Sequence, residues 1–205
     1  MEKDETFDFY KGALTRNLCS FFRKEWTSAM GDRDALFDIS LSKEAMPYMA
    51  TAIYEGWGPT MAQVESGFPE QVNGGRVLES DLGNGLPTIR AAAYFEKTFH
   101  GEELEFSRTA FYGCGGEVSV KPYGCNDLHV SNGSSMKLYM GESSVVWIYV
   151  YDESSIDIAT IPESSKAFVI RYSDRCTVRR DGNGGILRER RRDVHDDIFG
   201  TDNKI

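Results

Sequence analysis

Two hydrophobic periods divide the chain. From Phe9 to Trp26 the apolar residues Tyr10, Ala13, Leu14, Leu18, Phe21, Phe22 and Trp26 recur at i, i+3 and i+4, which places them on one face of a helix. Gly31 is a natural stop, a second helix begins near Asp34, and a third follows Ser42 as its N-cap. That third helix runs through Ala45, Met49, Ala52 and Ile53 to the Gly56-Trp57-Gly58-Pro59 break, with Pro47 tolerated in its first turn. A short fourth helix spans residues 60–66, so residues 1–66 read as a helical head. The turn-formers Gly67, Pro69, Asn73-Gly74-Gly75 and Gly83-Asn84-Gly85 make residues 67–103 an irregular junction, within which AAAYFEKTF (91–99) suits a helix or a strand equally.

From Glu117 onward the period is two. Val118/Val120, Leu128/Val130, Met136/Leu138/Met140, Val146/Ile148/Val150, Ile156/Ile158 and Ala167/Val169 alternate in short runs closed by Gly, Asn, Asp, Glu or Ser. Doubled serines at 134–135, 143–144, 154–155 and 164–165 punctuate these runs every nine to eleven residues. Hydroxyls at such corners satisfy backbone groups locally, and corners repeated at this interval stack in register. Two intervals make a coil of about twenty residues, within the range of solenoid repeats. The expected fold class is therefore α+β, a helical segment followed by a short-stranded β-solenoid-like unit over residues 104–180 and a polar charged tail over 181–205. The alternative is an antiparallel meander, which predicts the same strands; it is less favoured because the polar pairs lack the Asn-Gly or Asp-Gly of tight hairpins.

Charge is distributed unevenly. Nine Lys/Arg against seven Asp/Glu in residues 171–205 leave fourteen against twenty-five in residues 1–170, a balance of −11 in a chain whose total is −9. Such a body repels nucleic acid, whose non-specific affinity comes from phosphate neutralisation. The apolar run 145–151 is far short of the ~20 residues that span a bilayer, and the acidic start lacks an apolar leader, so a soluble cytoplasmic protein is expected. Cys19, Cys114, Cys125 and Cys176 show no CxxC spacing, and reduced thiols are the default.

A helical start carrying a Cys and a Trp, the Phe-Pro…Val-Asn-Gly-Gly segment at 68–75, and GCGGEVSVKPYGCNDLHVSNGSSMKL leading into Val/Ser strands resemble small proteins encoded by bacteriophages and prophages of gut bacteria. The likeness covers most of the chain. It implies a phage-associated context, hence a bacterial host cytoplasm, and a helical head on a β-solenoid-like tail. It implies no activity and carries over no functional residue.

Several residue sets could bear chemistry. Cys114, Cys125, His129 and Cys176 have a metal-site composition, but only Cys125/His129 comes near a ligand-pair spacing, and no metal or other cofactor is expected. Glycine-flanked Cys114 could expose a nucleophilic thiol, yet no base can be placed beside it. Glu142, Asp152, Glu153, Asp157, Glu163 and Asp174 lie near strand ends, where a pair could cleave a glycosidic bond; hydrated corner charges are the plainer reading. Trp147, Tyr149 and Tyr151 share one strand face, with Tyr139 and Tyr172 on neighbouring strands. These aromatics would bind a partner or dock against the helices. Arg188, Arg190, Arg191 and Arg192 could make electrostatic contacts. Asn183-Gly184-Gly185 is no phosphate loop, lacking the lysine and the strand-to-helix setting.

The combined expectation is a non-enzymatic interaction or structural protein that presents a rigid β surface to a protein partner or to itself. A polysaccharide-binding or polysaccharide-cleaving protein is one alternative, and an acidic inhibitor of a host factor is another. Neither nucleic acid nor a membrane is expected as partner.

Overall fold

The structure, a computed structural model, describes residues 11–12, 14–15, 20–30, 32–73, 75–78, 89–104, 106–181 and 184–195. Residues 9–10, 13 and 16–19 of the helix expected over 9–26, among them Cys19, lie outside them, as do the Gly83-Asn84-Gly85 turn and the last ten residues. Helices α1 (Ser20–Ala29), α2 (Arg33–Ser40), α3 (Ala45–Tyr54) and α4 (Met61–Gly67) form the head. Asp32 caps α2 by accepting from the Ala35 N–H, and Thr60 with Gln63 makes a reciprocal capping box on α4. Ser42 Oγ accepts from the Ala45 N–H at 3.2 Å, although Glu44 holds the formal cap position of α3.

Twelve strands follow among the described residues. They are β1 (Gly75–Leu78), β2 (Ile89–Phe95), β3 (Thr98–Leu104), β4 (Ser107–Tyr112), β5 (Gly115–Val120) and β6 (Cys125–Ser131), then β7 (Ser135–Met140), β8 (Val145–Val150), β9 (Ser155–Thr160), β10 (Lys166–Arg171), β11 (Thr177–Arg180) and β12 (Ile186–Arg191). From β2 onward, alternate strands enter alternate sheets, in the orders β1-β2-β4-β6-β8-β10-β12 and β11-β9-β7-β5-β3. We call these the first and second sheet. All pairings are parallel except β1 with β2, so the chain coils as a β-solenoid of about five turns and the antiparallel meander is excluded.

The alternating residues account for the coil. Leu128, Val130, Val146, Ile148, Val150, Ala167 and Val169 of the first sheet face Val118, Val120, Met136, Leu138, Met140, Ile156 and Ile158 of the second, all buried in one core. At the far end the inner rows turn polar: Arg171 and Glu189 are in register with inner Val150 and Val169, and their ion pair at 2.8 Å finishes the core in place of apolar side chains.

One serine of each pair is the buried corner residue: Ser134, Ser144, Ser154 and Ser165. Ser134 Oγ donates to the Ser131 carbonyl at 2.6 Å, and Ser144 and Ser165 both donate to the Gly141 carbonyl, at 2.7 and 2.8 Å. The hydroxyls also link successive coils, since the Cys114 N–H donates to Ser134 Oγ and the Ser144 N–H to Ser165 Oγ. Left-handed backbone at Tyr123, Asn132, Ser143 and Asp152 turns four successive corners.

Two boundaries differ from the sequence reading. Strand β2 and all but the last residue of β3 fall within the segment read as junction, so 91–99 is the end of β2, a corner at Glu96 and Lys97, and the start of β3 rather than a helix. On β2 both faces are apolar, because Ala91, Ala93 and Phe95 face the helices while Tyr94 packs into the solenoid core, and so no alternation is visible. Strand β12 falls within the segment read as tail; it is an edge strand whose Arg and Glu side chains conceal its strand character.

Candidate binding surface

The head packs on the outer face of the first sheet. Phe37, Leu41, Met46, Ala50, Val64 and Phe68 form one buried cluster with Ala91, Ala93, Phe95, Ala110 and Tyr112, where alanines let the helices approach closely. Beyond this footprint the outer face continues in three rows set by the parallel register: Arg108-Asp127-Trp147-Phe168-Arg188, Ala110-His129-Tyr149-Ile170-Arg190, and Tyr112-Ser131-Tyr151-Tyr172-Arg192. Each step along a row is about 4.8 Å.

The rows differ in cover. Tyr151 is buried, and Tyr149 and Tyr172 pack partly against the head cluster. Trp147 is 38% exposed and stacks on Phe168 with centroids 4.4 Å apart at 17°. Next in that row stands Arg188, which is exposed and has no ion-pair partner among the described residues. At the other end Asp127 lies 3.8 Å from Arg108, and burial pushes its carboxyl above the ordinary range against the pull of Lys43 and Arg108.

His129 belongs to the covered part. It is 2% exposed, stacks on Tyr149 at 4.5 Å, and its Nδ1 lies 2.9 Å from the Tyr151 hydroxyl, while Nε2 has no hydrogen-bond partner. Burial, aided by Arg108 and Lys43, lowers its pKa to about 3, so it sits neutral in the fold. It alternates with the core residues Leu128 and Val130 and so faces outward, but the helices cover that face.

The other expected residues scatter. Tyr139 lies on the outer face of the second sheet, its hydroxyl 3.4 Å from Glu117 and its ring 5.2 Å from Lys137 Nζ, so it does not join Trp147, Tyr149 and Tyr151. Of the four arginines, Arg188 and Arg190 lie on the outer rows of β12, Arg191 pairs with Asp174 at 2.7 Å, and the Arg192 N–H donates to the Arg171 carbonyl. They are held on a strand edge, not on a solvated tail.

Cys114 and Cys176 take the corner position that Ser134 and Ser154 take in the coils between them. Cys176 Sγ donates to the Ser173 carbonyl and Cys114 Sγ to that of Tyr94. Three coils separate the two thiols, about 14 Å at 4.8 Å per rung. Burial pushes the Cys114 thiol up to about 11, which suits a structural thiol and opposes a nucleophilic one. Among the described residues no His, Cys, Asp and Glu group of metal-site size assembles.

The corner carboxylates also separate. Asp152 is only 6% exposed, against the expectation of a hydrated charge, because it accepts from the Asn132 and Gly133 N–H groups and from Ser154 Oγ. Glu153 accepts from Arg175 and from the Tyr54 hydroxyl of α3, tying corner to head. Asp157 faces outward on the second sheet. No described helix is long and apolar enough to cross a membrane.

Sequence reasoning missed Phe168. Its signal was present in KAFVIR, where it alternates with the core residues Ala167 and Val169. No protein-family model matches the chain, no curated protein is significantly similar to it in sequence, and no solved structure is significantly similar to it in fold.

Proposed function

We propose that the protein is a non-enzymatic interaction protein whose partner is another protein, held on the Trp147-Phe168-Arg188 row. The stacked, partly exposed Trp147 beside the helical head carries this reading. Aromatic and arginine side chains dominate binding hot spots, since they bury a large area at low rotamer cost. β8 and β10, each paired on both sides by parallel strands, present Trp147 and Phe168 without prior ordering, which lowers the entropic cost of association. Arg188 selects a partner segment with an apolar anchor followed by a carboxylate. The phage-associated setting belongs to this proposal and rests on the sequence resemblance alone.

Peptide display against the folded chain tests the reading. Enriched peptides should pair an aromatic or aliphatic residue with Asp or Glu, and should be lost on Trp147→Ala and on Arg188→Glu. Peptides that bind both variants as well as the parent would contradict it.

A further inference from the structure

The second sheet carries a different surface. Its outer face has no helix packed on it among the described residues, and a groove of about 620 Å³ runs across β5, β7, β9 and β11. Two rows line it. Ser135, Ser155 and Thr177 form a rank of hydroxyls, with Ser155 Oγ donating to Ser135 Oγ at 3.0 Å. Beside it Glu117, Lys137, Asp157 and Arg179 alternate in sign across four successive strands.

We infer that this groove binds an extended, uncharged carbohydrate chain. The parallel register repeats acceptors and donors at about 4.8 Å along the rows, a periodicity suited to a polymer of hydroxyl-bearing units. Carboxylates accept from sugar hydroxyls, the Lys137 and Arg179 side chains donate to them, and the serine and threonine hydroxyls do either. Asp157 Oδ1 is buried in the groove wall yet accepts no hydrogen bond from a described residue. A buried acceptor of this kind is costly unless a donor reaches it. The alternation cancels the charge of the ionic row, which removes the counterion-release drive for polyanions. A protein partner is disfavoured because the apolar residues in the groove, Met136 and Ile156, are themselves core residues and offer no anchor. Tyr139, beside Lys137, supplies a ring at the margin.

The test is titration calorimetry of the full chain with a panel of α- and β-linked gluco-, manno-, galacto- and N-acetylglucosamine hexasaccharides, with dextran sulfate as the polyanion. At least one neutral hexasaccharide should bind, and Asp157→Asn should weaken it about tenfold. Lys137→Ala, at a partly exposed side chain on the outer face and outside the core, should weaken the same sugar. Lys166→Ala, the matching change on the opposite face, should leave it unaltered. Failure of every neutral sugar to bind chain shown to be folded would overturn the inference. So would binding of dextran sulfate alone, or Lys137→Ala and Asp157→Asn proteins that bind the sugar as tightly as the parent.

Discussion

The two sheets share a coil repeat and an inner core but differ entirely on their outer faces. The first sheet presents alanines, a buried histidine and stacked aromatics, and the helices cover most of it. The second presents hydroxyls and alternating charges and stays open among the described residues. Inner rows fix the solenoid while outer rows are free to differ, because side chains of alternate parity never meet across a strand. Stability and recognition can therefore be altered separately.

The largest effect should come from adjacent residues of opposite parity. Ile148→Ala empties fully buried volume and should cost about 2–5 kcal/mol in denaturant unfolding, whereas Trp147→Ala should cost under about 1 kcal/mol. Equal losses would mean that Trp147 is core.

Acid should separate the two faces next. His129 has its folded pKa lowered to about 3 from an ordinary 6.5, so between those values the unfolded chain binds the proton that the folded chain refuses. Stability is complete above about 6.5 and falls with pH, by up to about 1.4 kcal/mol per pH unit, until the folded pKa is passed. Asp127, whose pKa is raised, acts in the opposite sense in its own range, so the difference between parent and His129→Gln isolates the imidazole. That variant should lose much of the slope between pH 6 and pH 4; an unchanged slope would place the histidine in solvent.

The smallest effect should mark the corners. Cys114→Ser and Cys176→Ser restore the residue found at the same position in intervening coils and should change stability by less than about 1 kcal/mol, whereas Cys114→Val, with no donor for the Tyr94 carbonyl, should cost about 1–3 kcal/mol. A serine variant as damaging as valine would break the equivalence of the corners.

Much of this was legible in the sequence, and the rest was hidden for identifiable reasons. The inner rows show themselves through period two, and the corners through serines whose hydroxyls replace lost backbone partners. What period two cannot supply is the sheet to which an outer residue belongs. Strands consecutive in sequence enter different sheets, so the outer faces of β7 and β8 point to opposite sides, which is why Tyr139 and Trp147 looked like neighbours. True neighbours come from about twenty residues away, as Phe168 does for Trp147. Burial of His129 depended on helices distant in sequence, and no local pattern announces that.

Hydroxyl-radical footprinting with mass-spectrometric readout tests the division of faces most directly. Along one strand and its corner, modification should fall from Trp147 through Tyr149 to Tyr151, with Tyr139 on the second sheet reacting readily and His129 protected. Uniform reactivity from Trp147 to Tyr151, with His129 oxidised as fast as Tyr139, would contradict a first sheet covered by the helical head.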